Sequence, residues 1–191
     1  RGIVIKYEHT FSDWDDNENP IINNKTIQTD YTVFALGGGS WKVTGSDGNW
    51  LDTFSKKGIQ TKSFQASNCG YQVAWKPNFI EKHEGIPLKN ISISCNNAVQ
   101  KGEAVITKFG LEGNSIYGLS PQIREQLLTH SKATVFIDFK PMLTAEKIHS
   151  KITLSNYKNT TETLKKELKL SSPQIDLLKI SLSKASYLNT E

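Results

Sequence analysis

Tyr31-Thr32-Val33-Phe34-Ala35-Leu36-Gly37-Gly38-Gly39-Ser40-Trp41-Lys42-Val43-Thr44-Gly45-Ser46-Asp47-Gly48-Asn49-Trp50 opens as an apolar run, meets three consecutive glycines, and passes a second glycine-bearing loop before a helix-like segment. A buried strand that stops at glycines and restarts as a helix is how open α/β sheets present backbone amides to a ligand. Glycine lacks a Cβ, so a flat or charged ligand can approach the main chain closely. Ser46 or Asp47 can cap the helix, whose free N–H groups favour an anion. The triplet does not read GxGxxG, and it lacks the GK[ST] of a P-loop. From spacing alone it is equally a tight strand-to-helix turn with no ligand.

The longer string narrows the choice. Ala35-Leu36-Gly37-Gly38-Gly39-Ser40-Trp41, followed by Thr44-Gly45-Ser46-Asp47-Gly48, resembles the post-strand loop of the BaiN-like NAD(P)/FAD-dependent oxidoreductases. The likeness continues in order through Asn68-Cys69-Gly70-Tyr71, Pro87-Leu88-Lys89-Asn90, Gly102 to Thr107, Gly110-Leu111-Glu112-Gly113, Ile116-Tyr117-Gly118-Leu119-Ser120 and Leu154-Ser155-Asn156. One departure is Lys42, where the family usually has proline, a change that bears on the stiffness of the loop. The resemblance implies a bacterial flavoprotein with a glutathione-reductase-type Rossmann domain, an inserted β-barrel and a small helical subdomain. It implies FAD as cofactor, NAD(P)H as electron donor and a small-molecule substrate.

Composition sets wider bounds. The 191 residues are 37% hydrophobic and 22% charged, which suits a globular protein with a real core. No apolar run reaches membrane-spanning length, and no signal-peptide pattern opens the chain. The first residue is Arg1 and the one methionine is Met142. The simplest account is an excised piece of a longer chain, with the rest of the FAD-binding domain missing. Cys69 and Cys95 follow no CxxC spacing and are too few for a disulfide scaffold or a zinc site. They read as reduced thiols of a cytoplasmic protein, structural in the case of Cys95. Residues 1–36 carry a net charge of −3 and residues 140–191 one of +4, on a chain of +4 overall. A lysine-rich helical end can bind nucleic acid, but with few arginines or aromatics among the lysines it reads better as a solvated face.

Patterning gives an order of elements. Gly2–Thr10 alternates through Ile3, Ile5 and Tyr7 as a half-buried strand would. Residues 21–27 read as strand, Asn-Asn turn, strand. Tyr31–Leu36 reads as the strand that delivers the glycine loop. Ser46–Lys57 reads as a helix with Trp50, Leu51 and Phe54 on one face and Gly58 as its stop. Residues 59–119 look mostly β, with candidate strands Phe64–Ala66, Gln72–Trp75, Ile91–Ser94, Glu103–Lys108 and Ser115–Gly118. The turn signals are Lys76-Pro77-Asn78, Asn96-Asn97 and Gly110–Asn114. Short strands at this spacing suggest a small barrel. Ser120-Pro121 opens a helix to about His130, with Ile123, Leu127 and Leu128 inward. Thr134–Phe139 reads as a strand. Helices follow, capped at Thr144, at Ser155 or Thr160, and at the Ser171-Ser172-Pro173 cluster. The expected fold class is α+β. Residues 1–58 form a β-rich piece of a Rossmann-type FAD domain, 59–140 the inserted barrel with one helix, and 141–191 the helical subdomain.

Few residues announce chemistry. His9, His83, His130 and His149 show no HExxH or i,i+4 spacing, so each reads as surface or structural and no metal site is expected. No GxSxG nucleophile elbow is present. The resemblance implies that Gly37, Gly38, Gly39 and Ser40 approach the cofactor with main-chain groups and that Thr44, Gly45, Ser46 and Asp47 continue that wall. Asn68, Cys69, Lys89, Glu112 and Tyr117 fall in family-like strings and are candidates to face a substrate. The plain alternative for the last three is structural, for example a Lys89–Glu112 ion pair. Two other functions stay open: a non-catalytic module that binds RNA or protein through the barrel and basic end, and a nucleotide-binding domain without redox chemistry.

Overall fold

A computed structural model describes residues 2–188. The chain divides into two compact units, residues 1–65 and 66–191. The class is α+β: eight α-helices and two antiparallel sheets among the described residues. No helix among them is long and apolar enough to cross a membrane.

The 1–65 unit carries strands β1 (Phe11–Trp14), β2 (Pro20–Ile22) and β3 (Lys25–Thr26), paired in that order. Asn23 and Asn24 both sit at positive φ, 48° and 61°, as a two-residue hairpin turn with the right-handed strand twist requires. The strand–Asn-Asn–strand reading therefore holds. In the loop before β2, one Asp15 carboxylate oxygen accepts N–H bonds from Asn19 at 2.8 Å and Asn17 at 2.9 Å. The Asn19 bond, foremost, holds the Asp15 carboxyl below its usual pKa.

Among the described residues this unit has no aliphatic core. It is held by an edge-to-face aromatic cluster, with Phe11–Phe34 centroids at 4.8 Å and Trp14–Phe54 at 4.9 Å. Trp50 and Phe64 extend it, with Trp50–Phe54 at 5.2 Å and Trp50–Phe64 at 5.8 Å. Such pairs contribute about 1 kcal/mol each beyond area burial. Helix α1 spans Trp50–Lys56, four residues later than the expected start at Ser46. Its end follows the glycine signal: Gly58 at φ 83° donates to Ser55 O, and Ile59 N–H reaches back to Phe54 O at 3.0 Å.

Two expected strands are absent from this unit. Gly2–Thr10 has no ladder partner, and Ile3, Val4, Ile5 and Tyr7 are exposed. Tyr31–Leu36 is likewise irregular. Tyr31 and Val33 are 92% and 90% exposed, while Phe34 alone enters the aromatic cluster. Both runs have the apolar pattern of strands, but a strand needs a neighbour to satisfy its amides, and none stands beside them among the described residues.

The 66–191 unit centres on a five-stranded sheet. Its strands are β4 (Tyr71–Gln72), β5 (Pro87–Cys95), β6 (Ala98–Thr107), β7 (Gly110–Glu112) and β8 (Phe136–Asp138), in the spatial order β4-β7-β6-β5-β8. Every pairing is antiparallel. The long β5–β6 hairpin turns at Asn96-Asn97, as the sequence suggests. The sheet stays open. β4 and β8 are its edges, so the expected closed barrel is not formed among the described residues.

Alternation along β5 and β6 builds the core. Leu88, Ile91, Ile93 and Cys95 face the same way as Ala104 and Ile106, all nearly inaccessible. Helices α2 (Pro77–His83), α3 (Asn114–Tyr117) and α4 (Ser120–His130) close over them with Phe79, Ile116 and Ile123, joined by Leu119 from the turn between α3 and α4. Lys76-Pro77-Asn78 thus begins a helix rather than a turn, with proline in the first turn where its missing N–H is harmless. Ser115–Gly118 forms most of α3 and not a strand. Within Gly110–Asn114, residues 110–112 pair as β7. Phe64–Ala66 is irregular, and the Gln72–Trp75 strand shrinks to Tyr71–Gln72 plus a Val73 N–H bond to Phe109 O. On α4 Ile123 is buried as expected, but Leu128 is 83% exposed and Leu127 37%.

The helical end comprises α5 (Ala145–Thr153), α6 (Thr160–Glu167), α7 (Ser172–Ser181) and α8 (Lys184–Leu188). Thr144 caps α5, and Ser171 with Gln174 forms a capping box on α7, both at the expected positions. Asn159, rather than Ser155 or Thr160, caps α6, accepting from Glu162 N–H at 2.9 Å. Leu164, Leu168, Leu170, Ile175 and Tyr187 make a second core, and Phe139 packs against both this cluster and that of the sheet.

Candidate functional site

The glycine loop is a folded turn, not a strand-to-helix elbow. Trp41 and Ser46 exchange backbone bonds at 3.2 and 3.3 Å around a short 3-10 turn, Lys42–Thr44, which Gly45 closes at φ 82°. Trp50 Nε1 donates to Gly37 O at 3.2 Å. Gly39 and Gly48 are packed under Phe64: a Cβ would lie 2.9 Å and 3.0 Å from its ring carbons. Part of the glycine requirement is therefore internal packing. The expected cap at Ser46 or Asp47 is not made. Asp47 instead accepts from Asn49 N–H at 3.1 Å, and α1, seven residues long, offers no side-chain cap. The Thr44 hydroxyl donates to Trp41 O. The N–H groups of Gly37, Gly38, Gly39 and Ser40 find no acceptor among the described residues. A run of free amides on a partly exposed loop can receive an acceptor oxygen or an anionic group.

The five substrate-facing candidates do not form one cluster. Asn68, exposed at φ 48°, and half-buried Cys69 lead into β4. There a Cβ on Gly70 would stand 3.4 Å from Glu112 Cβ, so Cys69 and Glu112 belong to one neighbourhood. Tyr71 sits beside them, its hydroxyl donating to Ser120 O at 3.4 Å, and burial raises its pKa. Tyr117 is half-buried on α3 rather than projecting from a strand. Lys89 lies elsewhere, in a bulge of β5, where it lines a shallow concavity with Lys101, Asn114 and Met142. No ion pair joins Lys89 to Glu112 among the described residues.

Cys95 is fully buried, with Gln126 Nε2 at 3.4 Å, and burial above all pushes its thiol pKa up. Both effects keep it unreactive. In the folded chain iodoacetamide at pH 8 is expected to label Cys69 at least tenfold faster than Cys95, read by peptide mass spectrometry. Equal labelling would show that the sheet opens readily.

The arrangement that sequence reading missed is His83–Asp176. His83 is 3% exposed on α2, its Nε2 stands 2.9 Å from an Asp176 carboxylate oxygen on α7, and its Nδ1 has no partner among the described residues. The residues are 93 apart, and neither lies in a motif. No group of three His, Cys, Asp or Glu side chains gathers to hold a metal among the described residues.

Residues 66–188 thus form an antiparallel sheet covered on one face by short helices and continued by a helical end. The chain belongs to the family described as HI0933-like protein barrel and H2TH domain, which residues 65–183 match. No curated protein matches the chain.

Proposed function

We propose that this chain is the middle part of a BaiN-like flavoprotein, an FAD-dependent oxidoreductase that draws on NAD(P)H. Residues 1–58 belong to its FAD-binding domain, 59–140 to the inserted sheet domain and 141–191 to the helical subdomain. The family match over residues 65–183 supports the assignment of the insert. The single observation that carries the cofactor reading is the free amide run from Gly37 to Ser40. These groups fit a cofactor rich in acceptor oxygens, and Gly45, whose absent Cβ faces open space, leaves the adjoining wall accessible.

In this reading Gly37, Gly38, Gly39 and Ser40 bind the cofactor through main-chain N–H groups, and Thr44, Gly45, Ser46 and Asp47 continue the wall. FAD, when bound, supplies the hydride or electron chemistry, and the protein supplies position and electrostatics. The 66–191 unit covers the flavin and selects a small-molecule substrate, with Asn68, Cys69, Lys89, Glu112 and Tyr117 as the residues offered to it. The protein works in the cytoplasm.

The test is the visible absorption spectrum of the longer gene product beside that of the 191-residue chain. The expected result is a flavin spectrum from the long form and a colourless 191-residue chain. A long form that is colourless and ignores added FAD overturns the reading.

A further inference from the structure

Two strings far apart in sequence meet at one irregularity of the sheet. Along β5 and β6, Leu88 pairs with Ala104 and Ile91 with Gly102, so Lys89 and Asn90 together oppose the single residue Glu103. This is a β-bulge, the device that bends a strand and re-aims its side chains. Asn90 adopts φ 54°, an uncommon conformation for a residue other than glycine. Gly102 is held at φ 153°, where a Cβ would press on Ser115 Oγ at 3.0 Å.

The bulge opens onto a concavity of about 470 Å³. Lys89 and Lys101 line it with Asn90 and Asn114, and exposed Met142 supplies apolar surface, while Ile91 below the wall is buried in the core. Neither lysine has an ion-pair partner among the described residues, although Glu103 lines the same wall. Met142 is 83% exposed, so its flexible thioether is free to pack on an apolar ligand.

We propose that this concavity binds a small organic carboxylate on an apolar body, and so gives the substrate class of the flavoprotein. Lys89 and Lys101 hold the carboxylate, Asn90 and Asn114 orient it, and Met142 covers the apolar part. Glu103 sets the charge: the wall carries two cations and one anion, which suits a monoanion and repels a second negative charge. The assignment of this ligand as substrate rests on the flavoprotein reading; the binding itself does not.

The experiment is an amide-resolved NMR titration of the 191-residue chain with sodium benzoate, with benzyl alcohol and inorganic phosphate at matched ionic strength as comparisons. Benzoate is expected to give saturable shifts at residues 89–91, 101–103 and 114, benzyl alcohol and phosphate much weaker ones. Lys89→Met and Lys101→Met, which keep the aliphatic stem, are each expected to weaken benzoate about tenfold. Glu103→Gln is expected to strengthen phosphate relative to benzoate. The same spectra show that each variant is folded. Equal response to benzyl alcohol, shifts scattered over all lysines, phosphate preferred to benzoate, or lysine variants that bind like the parent would each overturn the proposal. The titration contains no flavin, so its failure and that of the cofactor reading are read separately.

Discussion

Gly110→Ala is expected to lower the thermal midpoint of the 66–191 unit by about 10 °C, a loss on the order of 3 kcal/mol. Gly110 begins β7, opposite Gln72 of β4 and Thr107 of β6. A Cβ there would overlap the Tyr71 carbonyl oxygen and stand 2.9 Å from Gln72 Cα. The obstacle is backbone, so no side-chain rotation relieves it. β4 would have to leave the sheet, and with it Tyr71, which packs against the main core. Gly58→Ala is the comparison: its site is open, and the cost is only the positive φ, about 1 kcal/mol. Thermal unfolding followed by circular dichroism checks both. An equal loss from the two variants would show that β4 is not tightly held.

The second large effect is expected at His83–Asp176. The His83 ring packs on Phe79 with centroids 4.9 Å apart, and its link to Asp176 ties α2 to α7. His83→Ala removes a buried ring and orphans a carboxylate, at a cost of about 2–3 kcal/mol. Asp176→Ala leaves the ring buried with neither nitrogen paired, at about 2 kcal/mol. Asp176→Asn keeps an acceptor and is expected to cost far less. Lys179, 3.7 Å from Asp176 and itself well exposed, contributes little. Denaturant unfolding of the single variants and the double alanine variant gives the coupling, expected at about 1 kcal/mol or more. Strict additivity would mean that the helices are held by their apolar contacts alone.

What could be read in advance follows a physical line. Signals complete within a few residues were legible: the Asn23-Asn24 and Asn96-Asn97 turns, the Thr144 and Ser171 caps, and the Gly58 stop. The alternation of β5 and β6 was legible in part, because both strands have one buried face. Segments whose state depends on distant partners were not. Tyr31–Leu36 has a strand's composition but no neighbour to pair with among the described residues, and Ser115–Gly118 is too short for its periodicity to separate helix from strand. Gly110 looked like a turn residue, yet its requirement comes from Tyr71, which sequence alone does not place beside it.

The site divides in the same way. The glycine loop stood out as a string, while its Trp41–Ser46 closure and its packing under Phe64 are tertiary facts. Lys89 was singled out from its string. Its neighbours Lys101, Asn114 and Met142 were not, because only the β5–β6 register and the bulge bring them to it. His83 carried no signal, since its partner lies on a helix from the other end of the module.

The most direct measurement is amide hydrogen exchange on the longer gene product with and without FAD. The account predicts that FAD slows exchange at Gly37, Gly38, Gly39 and Ser40, whose N–H groups have no acceptor among the described residues. FAD binding that protects other segments and leaves these four amides exchanging freely would contradict it.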